Sequence, residues 1–194
     1  MATDQNEIEL VDDDVIRPFA RAAMLAAMLG AAALVGSIPI PFSPVPVTLQ
    51  VLVIYLAGLY LGPYWGPFSV VLYLTAGAVG LPVFANGTAG FGVLVGNSAG
   101  YLWSYPIAAL LVGAVVHWRS EFGNPAELSR PVLVVTLLTA LAVIYLLGAA
   151  WLGYVLELSA VKAVELGVVP FVPGDIVKIA AAIAIVEGGR IART

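Results

Sequence analysis

Apolar runs interrupted by short polar, proline- or glycine-bearing stretches divide the chain into six segments. They cover residues 17–37, 48–61, 68–79, 99–116, 131–155 and 175–186. Runs of this kind predict membrane-spanning helices, and hence an all-α six-helix bundle. The third segment is short and bears a glycine; such spans tend to lie against a cavity or continue into buried irregular backbone.

The stretches between the runs are as informative as the runs themselves. Residues 38–47 place proline at 39, 41, 44 and 46. These prolines remove amide donors and predict an extended, non-helical segment at the membrane surface or folded over the bundle. Gly62-Pro63-Tyr64-Trp65-Gly66-Pro67 predicts a tight turn, with Tyr64 and Trp65 in the interfacial aromatic belt. Residues 80–101 carry six glycines, at 80, 87, 90, 92, 96 and 100, and no charge. Glycine admits backbone shapes closed to other residues. The expectation is a loop folded into the bundle, lining a pocket with Asn86, Thr88, Asn97 and Tyr101. Residues 120–129 read as a polar loop, as do those around Glu157, Lys162 and Glu165.

Composition turns membrane helices from a pattern into a requirement. Of 194 residues, 61% are hydrophobic and 10% charged, with a mean hydropathy of +1.02. Soluble domains carry about 25% charged residues. There is no cysteine, which excludes disulfides and thiolate metal sites. The one histidine, His117, sits with Trp118 and Arg119 at the end of the fourth run as an interfacial anchor. A membrane enzyme needs a nucleophile–base pair or a metal cluster, and this inventory argues against one. The glycine-rich stretch has no following Lys-Ser or Lys-Thr and no strand–helix flanks, so it is not a phosphate loop. No cofactor and no nucleic-acid partner is expected.

Net charge is −4, and Asp4, Glu7, Glu9, Asp12, Asp13 and Asp14 cluster at the head of the chain. Residues 1–16 read as an acidic, solvated tail ahead of a membrane domain over 17–194. The tail lacks the basic start of a signal peptide, so no cleavage is expected. With six spans, Arg17, Arg21, Arg119, Arg130, Arg190 and Arg193 fall on one side and Lys162 on the other. The positive-inside rule then puts both termini in the cytoplasm. The proline segment, the glycine loop and the entry to the sixth span all fall on the outer side.

Charge at a span entry is where chemistry is expected. Asp175 and Lys178 stand at positions i and i+3, so they share a helix face. Ionisable residues inside a membrane are costly and mark function. Asp175 accepts hydrogen bonds and Lys178 donates them, which suits a urea or amide; an anionic ligand could use Lys178 and the helix N-terminus instead. A structural salt bridge that orients the sixth span is the plainer alternative. Gln50, near the start of the second span, serves either a packing hydrogen bond or the cavity. In the first span Ala22, Ala23, Ala26, Ala27, Gly30 and Ala31 allow close helix approach. Internal packing and docking of another membrane subunit are both open.

Several motifs together are similar to one family. They are PIPFSPVPVTLQ from Pro39 to Gln50, the turn with Gly62 and Gly66, and Gly80-Leu81-Pro82-Val83-Phe84-Ala85 with its glycine-rich sequel. Gly100-Tyr101-Leu102 and Gly174-Asp175-Ile176-Val177-Lys178 complete the set. Over residues 17–190 the chain resembles BioY, the biotin-binding S component of energy-coupling factor vitamin transporters. The resemblance implies a multi-pass protein of the cell membrane that captures biotin from outside. It implies assembly with a transmembrane coupling subunit and two cytoplasmic ATPases, and no ATP site of its own. The alanine-rich first helix becomes the docking face. Asp175 and Lys178 become the polar pair that addresses the ureido group, the acid taking an N–H and the lysine the oxygen. Asn86 lies in the loop that helps hold the ureido ring, and Gln50 and Tyr101 join the candidates. Where the family often reads Gly-Pro-Thr-Gly-Gly-Tyr, this chain has Gly96-Asn97-Ser98-Ala99-Gly100-Tyr101; loss of the proline loosens the loop at Asn97 and Ser98. An S component for another vitamin, thiamine or riboflavin, is the alternative that a competition panel separates, and a transporter working alone is another.

Overall fold

A computed structural model describes residues 13–35, 37–119 and 124–191. Acidic residues 4, 7, 9 and 12, loop residues 120–123, and Arg193 lie outside them, as do the side chains of Asp13 and Arg190. Six α-helices are seen: α1 (Asp13–Val35), α2 (Gln50–Ala78), α3 (Ala99–Arg119), α4 (Arg130–Val155), α5 (Ala160–Gly167) and α6 (Val172–Ile191). Among the described residues there is no strand beyond one isolated bridge. By length and composition four helices can cross a membrane, and a fifth span arises if α5 and α6, bent by 54°, are taken together.

The second and third apolar runs fuse into α2, but not into one rod. Gly62 leaves helical geometry with φ 74 and ψ −167, a conformation that glycine tolerates, and Pro63 behind it disfavours helix at the preceding residue. The chain reverses there. A Cβ on Gly66 would lie 2.9 Å from the carbonyl oxygen of Ala57, and Gln50 in the first arm bonds to Tyr73 in the second. The expected turn is thus the hinge of a helical hairpin. Arms of 50–61 and 63–78 are ~18 and ~24 Å long at 1.5 Å per residue, short against a hydrocarbon core of about 30 Å.

Three features gather at one end of the bundle. Phe19 of α1 meets Phe68 beside the hairpin turn, with ring centroids 6.1 Å apart. Gly113 of α3 lies so close to Gly62 and Pro63 that a Cβ would collide with their backbone. Arg130 at the start of α4 pairs with Glu187 near the end of α6. The proline segment, the glycine loop and α5 occupy the opposite end.

Local corrections have plain causes. The proline segment does not run out extended: Ile38 N–H donates to Val47 O at 2.8 Å and Val47 N–H to Ile38 O at 3.0 Å, closing residues 38–47 into a loop. Helix α1 takes in residues 13–16, which the sequence assigned to the tail. Where a loop was expected after α4, Ser159 caps the short helix α5 by accepting from Lys162 N–H. Helix α6 begins at Val172 rather than Asp175, with Pro173 in its first turn, where a missing N–H costs nothing.

Candidate functional site

Helix α6 positions the pair. Because Asp175 and Lys178 are one helical turn apart, both turn inward and are only 3% and 6% exposed. Lys178 Nζ donates to Asp175 Oδ1 at 2.6 Å. The second oxygen is held by α4: Tyr145 Oη donates to Asp175 Oδ2 at 2.6 Å. A buried charge left without a partner costs several kcal/mol, and here each oxygen of the acid has one.

The pair faces a small cavity of about 30 Å³, walled by Val45, Pro46, Thr48 and Val51 on one side and Tyr101, Tyr105, Ile144 and Phe171 on the other. A second cavity of about 180 Å³ shares Val45, Pro46, Thr48, Tyr101 and Tyr105, and extends past Gln50 and Ser98 to Asn86 and Thr88. The rings of Tyr101 and Tyr105 therefore stand between the acid–base pair and the loop-lined mouth. Of three larger furrows of about 520–560 Å³ on outer helix faces, two are almost wholly apolar; the third has Arg119 at its rim and two threonines, whose hydroxyls are spent on helix carbonyls.

The segments expected to converge do so. Tyr101 is locked in place: its hydroxyl donates to Gly167 O at 2.6 Å, and a Cβ on Gly148 would run into its ring. It lines both cavities while its O–H is spent on the backbone. Gln50, 2% exposed, donates from Nε2 to Tyr73 Oη at 2.7 Å and accepts from Thr48 Oγ1 at 3.1 Å. Its main task is a packing hydrogen bond, though it also borders the larger cavity. Asn86 is exposed at the mouth in a left-handed conformation, φ 58, and its Oδ1 accepts from Ser37 Oγ at 2.9 Å. That contact ties the glycine loop to the end of α1. Thr88 bonds to Ala85 O. Ser98 lines the cavity whereas Asn97 does not.

Sequence reasoning missed Tyr145, Tyr105, Thr48 and Phe171. For the two tyrosines and the threonine the available signal was a hydroxyl beside apolar residues, which carries no direction; for Phe171 there was none. Tyr55, fully buried on the first arm of α2, has a hydroxyl without a hydrogen-bond partner and lies within electrostatic reach of Asp175. Among the described residues no three His, Cys, Asp or Glu side chains lie together as metal ligands.

The small-residue set of α1 divides. Ala22 and Gly30 are buried against the bundle and Ala26 is half-buried, while Ala23, Ala27 and Ala31 are exposed. Only the second group, spaced four apart, is available to another molecule.

Chemically, the site offers one acceptor and one strong donor side by side at the closed end of an aromatic-walled cavity. That is the complement of a neutral group with adjacent N–H and C=O.

A family model described as the BioY family matches residues 3–193. A probable biotin transporter BioY from Pyrococcus horikoshii is 39% identical over 170 residues, covering 87% of this chain and 95% of that protein. The biotin transporter BioY of Thermotoga maritima is 35% identical over 163 residues, 84% of this chain and 91% of the relative. The fold is similar to the crystal structure of the S-component for biotin from an ECF-type ABC transporter. The TM-score is 0.81 and the identity 26%, with 95% of each chain covered.

Proposed function

The chain belongs to the BioY family, and from that premise we propose that it is the biotin-binding membrane subunit, the S component, of an ATP-driven vitamin importer. The observation that carries the reading is the buried Asp175–Lys178 pair facing a small cavity beneath the proline loop, which adjoins at Tyr101 and Tyr105 a larger one between the proline loop and the glycine loop. The acid accepts an N–H of the ureido group and the ammonium donates to its oxygen; Tyr101 and Tyr105 flank the ligand, and Asn86 closes the mouth. In the present structure acid and base satisfy one another, so a ligand has to exchange their mutual bond for its own.

Counting each arm of α2 as a span, and α6 as the last, gives six, with both termini in the cytoplasm of a plasma-membrane protein. The clustering of Arg17, Arg21, Arg119 and Arg130 at the hairpin-turn end supports this orientation. The coupling subunit docks on α1 through Ala23, Ala27 and Ala31, where small side chains let helices approach closely, and two cytoplasmic ATPases drive the cycle.

Detergent-purified chain tests the reading. A ligand that binds only the folded state raises its stability. Biotin is expected to raise the melting temperature, and thiamine and riboflavin to leave it unchanged. Stabilisation by either of those vitamins and none by biotin would overturn the assignment.

A further inference from the structure

Tyr145 occupies a position that its sequence context does not announce. Its hydroxyl points inward to Asp175 Oδ2 at 2.6 Å. Its ring borders the small cavity with Asp175 and Lys178, and also an outer furrow of about 520 Å³ between α4 and α5, lined by Ala142, Ala149, Ala163 and Val168. A buried tyrosine hydroxyl ordinarily finds a partner; this one, in the middle of α4, commits itself to a buried carboxylate. The furrow is built largely of alanine and valine, so the tyrosine ring is the thickest part of the wall between the acid–base pair and the lipid-facing side.

From this geometry we infer that Tyr145 is a positioning residue of the ligand site, acting through Asp175. Two torsions, χ1 and χ2, decide where the oxygens of an aspartate point. With Oδ2 held by Tyr145 and Oδ1 by Lys178, both are fixed, beside the small cavity that the residue lines. The ligand N–H then meets an acceptor already aimed, and the ordering of Asp175 is complete before the ligand arrives. The ring seals the same carboxylate from lipid. This rests on the reading of the site as one for a ureido head group.

Equilibrium binding to purified protein, wild type against Tyr145→Phe, with biotin and with biotin methylated at one or the other ureido nitrogen, separates this role from a merely structural one. The phenylalanine keeps the ring and removes the bond. Biotin affinity is expected to fall about tenfold, the scale of one hydrogen bond to a charged group. One of the two methylated ligands, which has already lost its bond to Asp175, is expected to change less than about twofold, since coupled contacts are not additive. Unchanged biotin affinity in Tyr145→Phe overturns the inference. So does an equal loss for biotin and both methylated ligands where both bind; where only one binds, the fall for biotin decides. If neither methylated ligand binds measurably, the fall for biotin alone decides, read against an unliganded melting temperature that shows the variant folded. Failure of wild-type protein to bind biotin would instead strike the underlying reading of the site.

Discussion

Helix α6 carries an ion pair near each end, and the two could hardly be more differently placed. Near its C-terminus Glu187 meets Arg130, with side chains 26% and 74% exposed. In its first turn Asp175 meets Lys178, with side chains 4% and 8% exposed. Exposed pairs contribute about 0–1 kcal/mol. A buried pair gains Coulomb energy but loses hydration of both ions, and apolar residues of equal volume often serve stability as well or better. The outer pair can therefore be a modest clasp between α4 and α6. For stability alone the inner pair gives α6 little that apolar residues of equal volume would not; the proposed ligand site gives it a role in the cavity it faces.

Breaking one partner of the inner pair should have the largest effect. Asp175→Asn and Lys178→Ala are each expected to abolish biotin binding, and to lower stability by about 3–5 kcal/mol through the stranded charge. Titration calorimetry and thermal unfolding report the two losses separately. Next comes the wall. Gly148→Val drives a side chain into the ring of Tyr101, and overpacking of this kind costs about 1–3 kcal/mol; the unliganded melting temperature should fall and affinity weaken with it. Similar in stability but smaller in affinity is Gln50→Leu, which leaves Tyr73 Oη without its partner and costs about 1–3 kcal/mol in unfolding experiments. Its affinity should change much less than that of the pair variants. Smallest is the outer pair: Arg130→Ala should cost less than about 1 kcal/mol and leave biotin affinity at the wild-type value. A large affinity loss in Arg130→Ala would erase the contrast between the two ends of α6.

How much of this was legible in the sequence depended on the range of the signal. Asp175 and Lys178 stand three residues apart on one helix, so their shared face followed from helical periodicity alone. The turn at Gly62 and the convergence of two loops with α6 followed from glycine, proline and the alternation of sides. Helix α5 was not legible, since its eight residues are mixed in character and its start rests on one capping serine. The reversal of the proline segment into a closed loop was hidden too, because proline restricts φ without saying where the chain turns. Tyr145 was beyond reach for a different reason: it meets Asp175 across 30 positions, and nothing local in an apolar helix says which of its faces looks inward. The division of α1 into buried Ala22 and Gly30 and exposed Ala23, Ala27 and Ala31 likewise required the packing partners, α2 and the segment around Val83, to be in place.

The most direct test replaces both members of the inner pair at once, as Asp175→Leu with Lys178→Met, and titrates the purified protein with biotin. Removing both charges leaves no stranded ion; the Tyr145 hydroxyl loses its acceptor, at about 1–3 kcal/mol, so the variant should still unfold cooperatively, at a higher temperature than either single variant, yet show no binding heat. Binding at wild-type affinity would mean that the pair is only a strut, and that the head group is held elsewhere.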